Sequence, residues 1–152
     1  MHKIFVYSIG KKDEPHMQKL YEELIKNAKK YATIKVVNIY NKKINQAQSA
    51  ESAQKVYTKA LEPYILNDGL NIALHPDAKE PDSYAFSKIL QESAKIAFFI
   101  GGAYGFEERF LKMCDKSLSL SRLTMSHKIA KAVLLEQIFR GLSLIHNHPY
   151  HK

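Results

Sequence analysis

Ile96-Ala97-Phe98-Phe99-Ile100-Gly101-Gly102-Ala103-Tyr104-Gly105-Phe106-Glu107-Glu108 decides how this chain folds. Ile96 to Ile100 is an unbroken apolar run, of the length and composition of a buried strand. Three glycines follow at once, and glycine lets a backbone turn tightly or approach a ligand closely. Glu107 and Glu108 then open a helix, where acids suit the positive end of the dipole. A buried strand running through a glycine loop into a helix is the unit from which parallel α/β sheets are built.

The same alternation extends outward from this unit. Ile4 to Ile9 reads as a first strand. Pro15 opens a helix whose stripe of Met17, Leu20, Tyr21, Leu24, Ile25 and Ala28 packs on a sheet. Ile34 to Ile39 is a second strand, and the polar stretch Asn41 to Ser49 reads as a mobile connection. A helix presenting Ala53, Val56, Tyr57, Ala60 and Leu61 ends at Pro63. Leu70 to Leu74 is a third strand after the turn Asn67-Asp68-Gly69, and His75 to Pro81 is a loop with two prolines. Asp82 or Ser83 caps a helix presenting Phe86, Ile89 and Leu90. Beyond the glycine loop, Leu118 to Leu120 is a short fifth strand. A last helix from about Lys128 to Ser143 carries Ala132, Val133, Leu135, Ile138, Phe139 and Leu142. The expectation is an α/β fold of one domain, residues 1–152: a mostly parallel sheet with helices on both faces. In such sheets ligands sit at the carboxyl ends of the strands, where the Leu74-His75 corner and the glycine loop both lie.

Composition narrows the function. The chain has 152 residues, with 23 Lys and Arg against 15 acids, a formal charge of +8. Such an excess suits a polyanionic partner, most often nucleic acid, or else a solvated basic surface. The lysine pairs Lys11-Lys12, Lys29-Lys30 and Lys42-Lys43 each lie at an element boundary. A single cysteine excludes an intrachain disulfide and fits a reducing cytosol. The first apolar run is too short for a signal peptide and no segment has the length of a membrane span, so a cytoplasmic protein is expected.

The motifs exclude several chemistries. Gly101-Gly102-Ala103-Tyr104-Gly105 is neither the dinucleotide fingerprint nor a P-loop. It is either a tight turn or a seat whose backbone reads a flat heterocycle such as adenine. No nucleophile elbow is present, and Cys114 lacks a partner set, so covalent hydrolysis is disfavoured. His146, His148 and His151 do not have the spacing of a zinc site, and no metal is expected. With Pro149 and Tyr150 they instead touch a partner subunit or a substrate, or form a docked C-terminus. Arg140 either caps the last helix or clamps an anion.

Taken together, Ile100-Gly101-Gly102 with Gly105, Leu118-Ser119-Leu120-Ser121 through Leu123-Thr124, His127, Arg140 and the tail His148-Pro149-Tyr150-His151 resemble the RlmH family. These are bacterial large-subunit ribosomal RNA pseudouridine N3-methyltransferases of the SPOUT class. Length and motif order match over the whole chain, with the specific motifs concentrated in residues 98–152. The resemblance implies a C-terminal trefoil knot, a rare exception to the rule against threaded loops. It also implies a homodimer, S-adenosylmethionine as methyl donor, and ribosomal RNA of the assembled ribosome as substrate.

By position, the resemblance places the donor against Leu74, Gly101, Gly102, Gly105 and the loop Leu120, Ser121, Arg122, Leu123, Thr124, Met125. It places His127, Arg140, His148, Tyr150 and His151 toward the target nucleotide, some of them from the partner subunit. Arg140 then has an electrostatic role, Tyr150 a positioning role, and one of the histidines can take the N3 proton. Two positions depart from the family pattern. Leu74-His75-Pro76-Asp77-Ala78-Lys79 stands where an acid and a glycine are usual, and Met125-Ser126 stands where Leu-Pro is usual. Leu to Met conserves volume, so the pocket is expected to persist. The rival readings are a ribosome-associated protein that kept the fold without catalysis, and a nucleotide-binding metabolic enzyme, which the missing phosphate fingerprint disfavours.

Overall fold

The computed structural model describes every residue, Met1 to Lys152. Five strands form one sheet: β1 (His2–Ile9), β2 (Ala32–Ile39), β3 (Leu70–Leu74), β4 (Lys95–Ile100) and β5 (Lys116–Leu118). Their spatial order is β2-β1-β4-β3-β5, and every pairing is parallel. Six α-helices, α1 (Pro15–Ala28), α2 (Lys42–Gln46), α3 (Ala50–Leu61), α4 (Ser83–Leu90), α5 (Glu108–Met113) and α6 (His127–Ile145), and one 3-10 turn, Glu62–Tyr64, complete the chain. The α/β architecture read from the sequence is therefore the one observed.

β4 lies at the centre, and its alternation shows how the core is divided. Ile96, Phe98 and Ile100 point into one layer with Met17, Tyr21, Phe86, Leu90, Leu134 and Ile138, beneath α1, α4 and α6. Ala97 and Phe99 point into the other, with Tyr57, Leu61, Phe106 and Phe110, beneath α3 and α5. This is the two-residue period of a strand buried on both faces. Going from β1 to β2 and from β3 to β4 the chain steps in one direction, and its helices α1 and α4 share a face. Going from β2 to β3 and from β4 to β5 it steps in the other, and α3 and α5 share the opposite face. A constant crossover hand requires that separation.

Local signals set the element ends. Pro15 occupies the first turn of α1, and Asp82 Oδ1 accepts from Ala85 N at 2.8 Å to cap α4. Ser49 and Ser52 form a reciprocal capping box at α3. Ser126 caps α6, and Asn147, with φ of 55°, ends the turn that follows it. A Cβ at Gly141 would lie 2.7 Å from Leu90 Cδ1, so the glycine is what lets α6 press against α4.

Three expectations are corrected. Asn41 to Ser49, read as a connection without an element of its own, contains one: Asn41 Oδ1 accepts from Ile44 N at 3.1 Å and opens the single turn α2, whose Ile44 packs against the core layer that holds Tyr57 and Leu61 of α3. The fifth strand is Lys116–Leu118, two residues earlier than expected. β3 ends opposite Leu118, and the next amide, Ser119 N, donates to Lys79 O at 3.0 Å instead. Leu20, placed on the buried stripe of α1, is exposed. No helix is long and apolar enough to cross a membrane.

Candidate active site

The carboxyl ends of β3 and β4 open into a cleft of about 400 Å³, within the range of small-molecule sites. One wall is the glycine loop. Gly105 N donates to Gly102 O at 3.0 Å, closing a turn that needs the positive φ of 72° at Gly105. A Cβ at Gly101 would meet the Phe106 ring at 3.3 Å, and one at Gly102 would run into the ring of Tyr57. Tyr57 is buried on α3, and burial pushes its hydroxyl up, so it stands as a neutral buttress behind the loop. Gln54, one turn earlier, donates to Tyr104 O at 2.8 Å. The loop is thus held from behind and presents bare backbone in front.

The facing wall is the segment after β5. Ser119 Oγ donates to Ser121 O at 2.9 Å, and Leu123 N donates to Ser121 Oγ at 3.0 Å. Leu120, Ser121, Leu123, Thr124 and Met125 line the cleft, as do Leu74, Gly101, Gly102 and Gly105. Arg122 belongs to the same loop but is exposed and does not line the cleft. His127, on the first turn of α6, lies 3.1 Å from Gly101 O through Nδ1. A carbonyl only accepts, so Nδ1 donates and, in the neutral ring, Nε2 is left as the basic nitrogen.

His75 was not among the expected site residues, yet it lines the cleft. Its amide donates to Leu118 O at 2.9 Å, which fixes the corner after β3. Its Nδ1 is buried without a hydrogen-bond partner, the one such side-chain atom in the protein. Pro76, Ile100, Ala103, Ser119, Ser126 and Ala130 complete the lining, and no acid is present in it.

Arg140, Tyr150 and His151 assemble elsewhere. Arg140 is thirteen positions beyond His127 on α6, about 20 Å along the axis. It donates through Nη2 and Nε to Glu136 Oε1 at 2.6 and 3.1 Å, and Tyr150 Oη donates to the same oxygen at 2.9 Å. The guanidinium also stacks 4.7 Å from the Tyr150 ring centre. Glu136 raises the basicity of Arg140 and, with burial, holds the Tyr150 hydroxyl above its ordinary range. Arg140 Nη1 donates to His151 Nδ1 at 3.2 Å, which leaves the His151 proton on Nε2. Tyr84 of α4 meets His151 edge-on at 4.9 Å.

His148 is not in this cluster; its ring lies 6.3 and 6.4 Å from Phe139 and Tyr31. His146 stacks on Tyr31 at 4.5 Å, so His146 and His148 share Tyr31 while His151 faces Arg140 and Tyr84, and the three form no metal cluster. Arg140 does not cap α6 at its last turn; it pairs within the helix. Glu136 was missed although its spacing, four residues before Arg140, is the ion-pair spacing of a helix. Burial pushes the Cys114 thiol up to about 12, which leaves it unreactive.

A sequence profile for the family described as predicted SPOUT methyltransferases matches residues 2–151. The chain belongs to the SPOUT methyltransferase family. Within that family it is 63% identical over 153 residues to the ribosomal RNA large subunit methyltransferase H of a Nitratiruptor species, covering 100% of both chains. The namesake of a Sulfurovum species is 49% identical over 156 residues, with 99% of each chain covered. These relatives confirm the RlmH resemblance. The tRNA (m1G37) methyltransferase of Aquifex aeolicus is similar in fold, with a TM-score of 0.51 at 17% identity, over 90% of this chain and 69% of that one.

Proposed function

We propose that the protein methylates N3 of a pseudouridine in large-subunit ribosomal RNA on the assembled ribosome, with S-adenosylmethionine as donor. Methylation of this RNA is the activity its relatives are named for. The observation that carries the reading is the cleft itself, where bare backbone at Gly101 and Gly102 faces the Leu120–Met125 loop. The donor fits that lining. Leu74, Leu120, Leu123 and Met125 offer apolar surface to a purine and a thioether chain, backbone groups offer edge hydrogen bonds, and His75 Nδ1 offers an unspent polar atom. Bound there, S-adenosylmethionine supplies a methyl group already activated by its sulfonium.

What the chain must add is alignment, proton removal and charge stabilisation. His127 Nε2, left basic by the Nδ1 hydrogen bond to Gly101, stands at the cleft and can accept the N3 proton. His151 is the weaker candidate, since Arg140 already occupies its Nδ1 lone pair. Arg140 keeps its charge throughout and stabilises the anion left on the base, while Tyr150 positions the ring by stacking or hydrogen bonding.

One chain does not bring these groups together, because about 20 Å of α6 separates His127 from Arg140. That separation supports the homodimer, in which the Arg140–Tyr150–His151 cluster of one protomer completes the cleft of the other. The trefoil knot belongs to the same reading, and the 119–127 segment is tied to the loops after β3 and β4 by Ser119 N on Lys79 O and by His127 on Gly101 O.

Two measurements test the proposal. Calorimetric titration of S-adenosylmethionine, with a nicotinamide dinucleotide as control, should show saturable binding that Gly101→Val abolishes. Ribosomes lacking the modification should gain a methyl group at a pseudouridine when incubated with protein and donor, read by mass spectrometry of the digested RNA. Ribosomes left unmethylated by a protein that binds the donor would refute the assignment of substrate.

A further inference from the structure

A second groove lies on the same rim of the sheet as the cleft, at the carboxyl ends of β1 and β2. It is lined by Gly10, Lys11, Lys12, Asn38 and Tyr40. Two strand spacings, about 10 Å, separate this end of β2 from the glycine loop at the end of β4. Lys42 and Lys43 follow Tyr40 on the exposed first turn of α2.

The charge of this groove is uncompensated. The ion pairs of the protein engage Lys55, Lys95, Lys112, Lys116, Lys128 and Lys131, and none engages Lys11, Lys12, Lys42 or Lys43. The two nearest acids are already taken by α6. Lys131 Nζ donates to Asp13 Oδ1 at 2.7 Å and to Asn38 Oδ1 at 2.8 Å, and Asn38 Nδ2 returns to Asp13 Oδ2 at 2.9 Å. Lys128 binds Glu14 and holds its carboxyl below the usual carboxylate range. The groove therefore has a neutral, hydrogen-bonded side chain at Asn38 and two cations without an ion pair, Lys11 and Lys12, in its lining, with Lys42 and Lys43, also without an ion pair, next along the chain after Tyr40 and Asn41.

The groove also has an aromatic face. Tyr40 is 40% exposed, and Lys11 Nζ sits 5.3 Å from its ring centre. Gly10, at φ of 149°, has no atom near the place of a Cβ, so the backbone there is open to close approach. Free lysines beside an exposed aromatic ring are the two elements of a single-strand nucleic-acid track: charge for the phosphates and a platform for a base.

We propose that Lys11, Lys12, Tyr40, Lys42 and Lys43 hold the unpaired RNA strand that flanks the target nucleotide. The inference rests on the reading of the chain as a ribosomal RNA methyltransferase and adds where the RNA is gripped. An acidic protein segment would use the lysines but has no need of the ring.

The test is fluorescence anisotropy of the full-length protein with a labelled single-stranded RNA of about 20 nucleotides, beside steady-state methylation of ribosomes. Lys11→Glu/Lys12→Glu and Lys42→Glu/Lys43→Glu should each weaken RNA binding by about tenfold or more and flatten its salt dependence. Tyr40→Ala should weaken it by about fivefold or more at unchanged salt slope. Lys29→Glu/Lys30→Glu, an equal charge change at the opposite rim before β2, should stay within about twofold. All these side chains are exposed, and calorimetric binding of the donor should be unchanged in each variant, which separates loss of RNA from loss of fold. Equal loss in the Lys29/Lys30 variant, or Tyr40→Ala binding like the parent, would overturn the proposal. So would displacement of the RNA by polyglutamate at matched charge. The anisotropy reading needs no turnover, so a parent that grips RNA through this groove yet leaves ribosomes unmethylated would count against the functional assignment alone.

Discussion

Arg140 and Glu136 face each other one turn apart on α6, and Arg140 Nη2 donates to Glu136 Oε1 at 2.6 Å. The same oxygen accepts the Tyr150 hydroxyl, so one carboxylate fixes the spacing of a cation and a phenol that the chain otherwise carries ten residues apart. Glu136 is a positioning residue, acting through the other two. Glu136→Gln keeps an acceptor at that place and removes the charge. Its kcat should fall by about tenfold or more while the affinity for S-adenosylmethionine is unchanged. The phenol of Tyr150 should at the same time titrate closer to the ordinary tyrosine range, a shift that a loss of packing alone would not give. Wild-type kcat in Glu136→Gln would remove the carboxylate from the mechanism.

Tyr150 also yields a pH prediction. Its folded pKa is raised, first by the hydrogen bond to Glu136, so folding favours the neutral phenol. The stabilisation this brings is complete below the ordinary tyrosine value of about 10 and is lost as pH rises through the higher folded value. Phenolate absorbance should accordingly appear later for Tyr150 than for an exposed tyrosine, found by difference against Tyr150→Phe. Through neutral and mildly alkaline pH the hydroxyl stays a donor. Any activity change there must come from another group, and a matching profile in Tyr150→Phe would demonstrate it.

Gly102 and Tyr57 are coupled through space. An added methyl at Gly102 meets the Tyr57 ring, which is buried and cannot swing clear. Gly102→Ala should cost about 1–3 kcal/mol in urea unfolding, the range for overpacking, and weaken donor binding by displacing the loop. Tyr57→Leu alone should be destabilising, yet combined with Gly102→Ala it should recover part of both losses. Strict additivity of the two changes would mean that the loop and α3 are independent.

The fold was legible because β4 and its neighbours obey simple periodicities. Ile96 to Ile100 is apolar at every position, as a central strand must be, and the stripes Met17-Tyr21-Ala28 and Leu135-Ile138-Phe139-Leu142 mark helices with a single buried face. The glycine run gave the cleft because a bare backbone is visible in sequence as the absence of side chains. Strand order was not legible, since pairing of β1 with β4 depends on contacts about ninety residues apart. The Leu74-His75 corner was legible as a ligand-side position, but the buried, unpartnered nitrogen of His75 was not, because nothing local distinguishes such a histidine from a solvated one. Equally, His127 and Arg140 both read as site residues, yet α6 holds them thirteen positions apart on one helix.

His75 gives the next expectation. A buried nitrogen with no partner in the free protein costs stability, and a bound donor that hydrogen-bonds to it recovers that cost. His75→Asn keeps a polar atom near the Nδ1 position and should bind S-adenosylmethionine within about threefold of the parent. His75→Leu should lose about tenfold, the worth of one hydrogen bond to a ligand. His75→Leu should also be as stable as the parent or more so in the absence of donor. Equal donor affinity in both variants would show that Nδ1 does not contact the ligand.

The separation of His127 from Arg140 makes the strongest demand on quaternary structure. If each active site draws its cleft from one chain and its arginine cluster from another, two inactive proteins must complement. Gly101→Val should lack donor binding, and Arg140→Ala should bind donor without turnover. Mixed under conditions that allow subunit exchange, half of the dimers carry one of each, and every mixed dimer holds one site in which both halves are intact. Activity should rise from near zero to about a quarter of the parent value. Exchange itself is followed independently by mass spectrometry of differently tagged chains. Exchanged but inactive mixtures would mean that Arg140 serves the cleft of its own chain, which the 20 Å of intervening helix could allow only through a large movement of the tail.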